Sequence, residues 1–285
     1  MPGIDLHTHT TASDGTLSPR ELVLQAARSG LSAVAITDHD TVDGLPEAMA
    51  AGRESGVTVI GGVELSVFDG RRALHLLGLF LPERPGDLAR VLADLRGKRH
   101  DRNRLILDKL AAMGIALDYD EVLALAGGSV GRPHIAAALM KKGVATSVKE
   151  AFARLLGPNG RAYVPKKKMS LEKAVSMLLA EGATPAIAHP FLLHQNERTL
   201  ERLVAEYKEL GVDAIEALYS EHSQSQTREY LALAAKLDLG VTGGSDFHGA
   251  AKPEIRLGVG KGDLVVPDAV LTALLARRKT RGETF

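Results

Sequence analysis

A chain of 285 residues, 45% hydrophobic and 25% charged, has the composition of one large or two modest globular domains and is long enough to bury a core without covalent staples. Thirty-five Lys and Arg balance thirty-five Asp and Glu, which excludes a uniformly basic nucleic-acid binder. The absence of cysteine excludes disulfides, a thiolate nucleophile and any Cys-ligated metal centre. A reducing, cytoplasmic setting is expected: strand-like Ile4-Asp5-Leu6-His7 begins at once, with no basic and apolar leader. The longest apolar stretch, Leu74 to Leu81, is interrupted by His75 and Gly78, so no membrane span is expected.

In chain order, short Val- and Ile-rich runs at 3–8, 33–37, 57–65, 73–81, 184–189, 213–218 and 240–245 read as strands buried on both faces. The first connecting helix is punctuated by Ser18 as N-cap, Pro19 at the first helical position, Glu21 completing a capping box and Gly30 as terminator. Further helices are expected at about 44–55, 197–210, 224–237 and 267–277. Seven strands alternating with helices point to an α/β, barrel-like fold with a parallel sheet.

Roughly a hundred residues separate the fourth and fifth strand runs, far more than a βα connection needs, so a small helical subdomain is inserted there. The segment 87–113 reads as one long helix or two, and 133–142 and 147–156 as short ones, with turns at Gly127-Gly128-Ser129 and Gly157-Pro158-Asn159-Gly160. The expected domains are a barrel from 1–96 and 166–285 and an insertion from 97–165. Residues 96–168 hold fifteen Lys and Arg against six Asp and Glu, so the neutral total conceals a basic insertion and an acidic remainder. A basic cap over an acidic barrel suits an anionic substrate bridging metal ions.

The ten histidines matter by their placement. His7, His9, His39, His75, His189 and His248 lie within or at the ends of the expected strands, where β/α barrels build their active sites. His7 and His9 stand two apart on an extended segment and so share a face; Asp246 and His248 repeat the spacing on the last strand. Asp14 and Glu64 add carboxylates at the first βα loop and at the end of the third strand. A single strand histidine is ordinarily a hydrogen-bonded core residue; a recurrence at successive strand ends is not. Six imidazoles and three carboxylates exceed the ligands of one ion, so two or three divalent ions per chain are expected. A sulfur-free donor set mixing imidazole with carboxylate fits manganese, iron or zinc better than magnesium or calcium, and manganese is the expected ion, with iron or zinc as alternatives.

Asp5-Leu6-His7-Thr8-His9, Ser13-Asp14-Gly15, Thr37-Asp38-His39-Asp40, Gly62-Val63-Glu64, His75, Ala188-His189-Pro190 and Gly244-Ser245-Asp246-Phe247-His248 together resemble the motifs of the polymerase and histidinol phosphatase (PHP) family of the amidohydrolase superfamily. The resemblance spans the chain. It implies a distorted seven-stranded β/α barrel with a trinuclear metal centre and a metal-bridging hydroxide as nucleophile. On the family pattern His7, His9, Glu64 and Asp246 hold one ion, Glu64 bridges to a second held by His75 and His189, and Asp14, His39 and His248 hold the third. Asp38 and Asp40 are expected to orient ligands rather than bind metal.

The insertion, with Ser129-Val130-Gly131-Arg132-Pro133-His134 and Tyr163-Val164-Pro165-Lys166, resembles the subgroup of nucleoside 3′,5′-bisphosphate phosphatases and related 5′→3′ exoribonucleases. Ile106, Leu110 and Met113 form an apolar stripe that leads back to Asn103 and Arg99, with Arg104 flanking it. Arg132 offers a fork for phosphate, and Pro133 sets His134 in a first helical turn. Arg99, Asn103, Arg104, Arg132 and His134 are therefore expected to contact substrate. His194 is a weak candidate for the general acid, which is otherwise unassigned, and Glu221 and His222 stand at the barrel mouth.

The expected activity is metal-dependent removal of the 3′-phosphate from a nucleoside 3′,5′-bisphosphate. The alternatives are 5′→3′ exonuclease action on short RNA, histidinol phosphatase activity, which the insertion motifs disfavour, and a non-catalytic metal-dependent nucleic-acid-binding module. The expected partner is a small nucleotide with two phosphates, or short RNA, with neither a membrane nor a protein partner.

Overall fold

The computed structural model describes residues 3–125, 130–165, 169–193 and 196–282. The chain forms two compact units, Met1–Ala89 with Lys168–Phe285, and Arg90–Lys167.

The first unit contains the strands β1 (Ile4–Asp5), β2 (Ala33–Ile36), β3 (Thr58–Phe68), β4 (Ala73–Leu79), β5 (Met169–Ser170), β6 (Thr184–Ile187), β7 (Ala214–Tyr219) and β8 (Gly240–Gly244). They are ordered β1-β2-β3-β4-β6-β7-β8, with the two-residue β5 paired onto β3. The first and last strands meet through Leu6 N–H to the Gly243 carbonyl, Asp246 N–H to the His7 carbonyl and a pairing of Thr8 with Phe247. The seven-stranded sheet therefore nearly closes into the distorted barrel that the sequence implies.

One feature departs from the expected parallel sheet. β4 runs antiparallel to both β3 and β6. The link from Phe68 to Ala73 is a tight turn in which Asp69 Oδ1 accepts from the N–H groups of Arg71 and Arg72, too short for the crossover that a parallel partner requires. The reversal brings the beginning of β4, and with it His75, to the barrel end where the other strands finish: Ser66 pairs with His75, and Ala188 N–H donates to the His75 carbonyl.

The helices are α1 (Pro19–Arg28), α2 (Leu45–Ser55), α3 (Asp87–Ala111), α4 (Tyr119–Leu123), α5 (Arg132–Lys141), α6 (Val148–Ala151), α7 (Leu171–Ala180), α8 (Glu197–Glu209), α9 (Gln224–Lys236) and α10 (Asp268–Thr280). The Ser18–Glu21 capping box forms on α1. The helix α7 was not anticipated, although Ser170 caps it and Leu171, Ala174, Val175 and Leu178 give it a buried stripe. The helix expected over 147–156 is α-helical only to Ala151 and then widens into a π-helical turn, Phe152–Leu156. Gly127, Gly128 and Ser129 lie outside the described residues.

Ile4, Leu6, Ile60, Leu77 and Leu79 fill the barrel core, with small residues such as Ala33, Ala186 and Ala214 between them. Gly244 is needed for close approach: a Cβ there would lie 2.3 Å from His7 N, so only a residue without one lets β8 pass β1. In the second unit Ile106 and Leu110 of α3 pack with Val122, Ile135, Leu139 and Leu156 around a separate core. No helix among the described residues is long and apolar enough to cross a membrane.

Candidate metal centre

β1 delivers His7 and His9 to the barrel mouth, β3 delivers Glu64, β4 His75, and the segments after β2, β6 and β8 deliver His39, His189, Asp246 and His248. All nine expected ligands, Asp14 included, come together there. Glu64 is the hub. Its Oε1 lies 2.8 Å from His75 Nδ1 and 2.9 Å from His189 Nε2, while its Oε2 lies 3.3, 3.2 and 3.0 Å from ring nitrogens of His7, His9 and His39. Asp246 Oδ1 faces His9 Nε2 at 3.1 Å, His248 Nδ1 at 3.5 Å and His7 Nε2 at 3.6 Å. Asp14 Oδ1 lies 3.4 Å from His248 Nε2.

Three groupings place ligand atoms within 4.8 Å of one another: His7, His9, Glu64 and Asp246; His9, Asp14, His39 and His248; and His39, Glu64 and His75. The first matches the set implied by the family pattern. The second adds His9 to the expected trio, and His189 meets the third through Glu64 and through His75, 3.3 Å away.

The residues fit a cation cluster on their own chemistry. His7 Nε2, both ring nitrogens of His9, His39 Nδ1, Asp14 Oδ1 and Glu64 Oε2 are buried yet make no hydrogen bond of ordinary geometry. Burying such groups without partners is costly, and divalent cations at these atoms would supply the missing interactions. Without them the cluster is held by protons. Burial disfavours the charged His9 ring, but the Asp246 and Glu64 carboxylates outweigh it and raise its pKa to about 9. His7 is likewise raised, against burial, by Glu216, Glu64 and Asp246. His39 is pushed down to about 4, chiefly by burial, with His9 and His75 adding to it. Glu64 and Asp246 sit well below the carboxylate range despite burial, because the histidines surround them.

The supporting groups are as specific as the ligands. Glu216 on β7, fully buried, holds His7 Nδ1 at 2.9 Å and accepts from His189 N–H at 2.7 Å, turning His7 Nε2 toward the cluster. The His248 ring faces its own loop: Nδ1–H donates to the Asp246 carbonyl at 2.8 Å, leaving Nε2 for Asp14. Tyr219 O–H donates to Asp246 Oδ2 at 2.9 Å, and Lys252 Nζ lies 2.7 Å from the same oxygen. Asp40, His189 and Asp246 all adopt positive φ, the strained backbone expected where a site dictates side-chain direction. Glu216, Tyr219 and Lys252 were not anticipated. An acid within the apolar run Ala214-Ile215-Glu216-Ala217-Leu218-Tyr219 was a usable signal for the first; the other two had none.

Asp38 and Asp40 are hydrogen-bonded as supporting groups. The Asp38 carboxylate accepts from Thr10 N–H, Thr10 O–H and Ser13 O–H, bracing the loop that carries Asp14 rather than touching a histidine, and Asp40 Oδ1 accepts from Ser66 N–H.

In the second unit, Asn103 is buried and its amide donates to the Val130 carbonyl at 3.1 Å. Arg132 donates to the Leu156 carbonyl at 2.9 Å and lies over the rings of Phe152 and Tyr163. His134 Nδ1 accepts from Gly131 N–H at 3.0 Å and thereby caps α5. Arg104 is exposed and stacks on Tyr119. The residue that sequence reasoning missed is Arg102, only 8% exposed: Nε donates to the Val164 carbonyl, while Nη2 is buried with no partner among the described residues. Burial, with Arg132 and Arg99 beside it, pushes its guanidinium down to about 10. Its spacing from Arg99 and Ile106 on the helix was the available signal. His194 lies outside the described residues. His222 packs among Phe191, Tyr219 and Tyr230, and its Nδ1–H donates to the Ala217 carbonyl.

Barrel and cluster together define a β/α-barrel protein with a site suited to divalent cations. The chain belongs to the PHP family: the PHP domain model matches residues 5–172. It is 35% identical over 244 residues to a 5′-3′ exoribonuclease of Haemophilus influenzae, covering 86% of this chain and 89% of that one. It is 34% identical over 250 residues to a 3′,5′-nucleoside bisphosphate phosphatase of Chromobacterium violaceum, covering 87% and 88%. A Bifidobacterium adolescentis crystal structure, described as a candidate metal-dependent phosphoesterase, superposes with a TM-score of 0.80 at 32% identity, covering 97% of this chain and 96% of that one. The protein is accordingly a metal-dependent phosphoester hydrolase.

Proposed function

We propose that the protein removes the 3′-phosphate from nucleoside 3′,5′-bisphosphates, leaving the nucleoside 5′-monophosphate and phosphate. The observation that carries the two-phosphate substrate is Arg102: a buried guanidinium beside Arg99 and Arg132, whose acceptor among the described residues is the Val164 carbonyl. Arg132 likewise donates to a carbonyl. Buried cations left without counter-charge are stabilised by an anionic ligand, and a phosphate dianion suits two guanidinium forks. The reacting phosphate is assigned to His7, His9, Asp14, His39, Glu64, His75, His189, Asp246 and His248 with their ions.

Two or three divalent ions, manganese foremost with iron or zinc as alternatives, would when bound lower the pKa of water and neutralise charge on the phosphate. The chain's part is to position. Glu64 shares its two oxygens between neighbouring groups of histidines, Glu216 fixes the His7 ring, and Asp38 braces the Asp14 loop. Asn103, Arg104 and His134 are assigned to substrate contact more distantly, His134 using the ring nitrogen that does not cap α5.

A second reading, 5′→3′ exoribonuclease action on short RNA, is favoured by the name of the Haemophilus relative; the arginines would then hold a 5′-phosphate end. Phosphate release from nucleotides and mononucleotide release from 5′-phosphorylated oligonucleotides, both measured with the manganese-reconstituted protein, separate the two. The bisphosphate should exceed the 3′-monophosphate by about a hundredfold in kcat/KM, the worth of a charged hydrogen-bonded contact. No preference between those two substrates sinks the bisphosphate reading, and faster turnover of 5′-phosphorylated oligonucleotides installs the exoribonuclease.

A further inference from the structure

We infer that Lys252, together with Tyr219, is a positioning residue that makes Asp246 a one-oxygen ligand and sets the affinity of the cluster for its cation. The inference rests on the cluster holding divalent ions, and not on which phosphate ester is cleaved.

The two central carboxylates are built differently. Both oxygens of Glu64 face imidazoles of the cluster, Oε1 toward His75 and His189 and Oε2 toward His7, His9 and His39. Only Oδ1 of Asp246 does so, toward His7, His9 and His248. Its Oδ2 receives the Tyr219 hydroxyl at 2.9 Å and the Lys252 ammonium at 2.7 Å. A carboxylate oxygen offers two lone-pair directions, so these donors occupy Oδ2 and leave Oδ1 alone for a cation.

The clamp has two independent anchors. Tyr219 ends β7 and is 6% exposed, its ring beside those of His7 and His189. Lys252 follows the Gly249–Ala251 turn, with its N–H donating to the Gly249 carbonyl, so the loop that carries Asp246 and His248 also supplies the cation that restrains Asp246. The Lys252 charge also offsets the repulsion between the Asp246 and Glu64 carboxylates. Asp246 sits at φ +58, a left-handed conformation that a non-glycine residue keeps only where its surroundings fix it, and the two donors to Oδ2 are part of those surroundings.

Manganese retained per chain, measured by atomic absorption after dialysis against graded free Mn2+, tests the inference for wild type, Lys252→Met, Lys252→Arg and Tyr219→Phe. The Lys252 side chain is 40% exposed, so its replacements should fold; circular dichroism checks this. Lys252→Met should need about tenfold more free Mn2+ for half-occupancy, the usual cost of losing a group that orients a ligand. Lys252→Arg should recover most of the loss, and Tyr219→Phe should fall between. A smaller shift in Lys252→Met, tighter binding, or an arginine variant as weak as the methionine one overturns the clamp. A wild-type protein that retains no manganese instead overturns the metal centre itself.

Discussion

Glu216 Oε1 lies 2.9 Å from His7 Nδ1, and the other oxygen of the same carboxylate accepts from His189 N–H, so one buried acid on β7 orients two candidate metal ligands, one following β1 and one following β6. Replacing it with glutamine keeps the shape but removes the charge and permits a flipped amide that no longer holds His7. Glu216→Gln should weaken manganese retention and phosphate release by about 10- to 100-fold each. Retention equal to wild type, measured at the metal, would show that His7 needs no such support.

Proton occupancy of the cluster makes the cation-free protein sensitive to pH. His9, raised to about 9 from an ordinary 6.5, contributes stability that is fully present below about 6.5 and is lost as pH rises through 9; His7 and His75 act in the same direction. His39, lowered to about 4, removes stability as pH falls from 6.5 toward 4, as do the depressed carboxylates lower still. In excess chelator the thermal midpoint should therefore peak near pH 6.5 and decline toward 9. With saturating manganese the decline should disappear, because cations replace the protons. Thermal melts across this range check the prediction, and a flat profile in chelator contradicts it.

Arg102 is destabilised in its charged form by burial and by two neighbouring arginines, and an anion should relieve this. Inorganic phosphate should raise the thermal midpoint of chelated protein more than chloride at equal ionic strength, and Arg102→Met should lose that difference. In turnover the same variant should raise KM for the bisphosphate about tenfold or more while changing kcat less. An unchanged phosphate response would remove Arg102 from anion recognition.

Arg132→Ala should lose far more activity on a bisphosphate than on an aryl phosphate, since the latter has no second phosphate to recognise. Steady-state rates on both substrates decide the matter; equal losses assign Arg132 to the fold of its own unit, where it already bonds the Leu156 carbonyl and stacks on two aromatic rings.

Gly244→Ala should destabilise the barrel by about 1–3 kcal/mol, because its Cβ would press on the His7 backbone at 2.3 Å. Chemical denaturation measures the loss, and a neutral result would mean that β1 and β8 can separate without cost.

The sequence by itself determined the candidate ligands and most of the scaffold. The His-x-His and Asp-x-His spacings and the Ser18–Glu21 cap are local patterns; the cap follows from helix periodicity, whereas His7 and His9 lie just beyond β1 and Asp246 and His248 on the loop after β8, with Asp246 at φ +58. The tertiary structure decided what depends on strand direction and long-range approach. His75 reaches the mouth because a tight turn reverses β4, which its apolar pattern, identical for either direction, did not reveal. Glu216, Tyr219 and Lys252 become supports only where β7 and the loop after β8 meet β1, and Arg102 becomes a buried cation only once Val164 and Arg132 close over α3. Periodicity reports the face a residue occupies; the partner waiting on that face is chosen by the folding of distant chain.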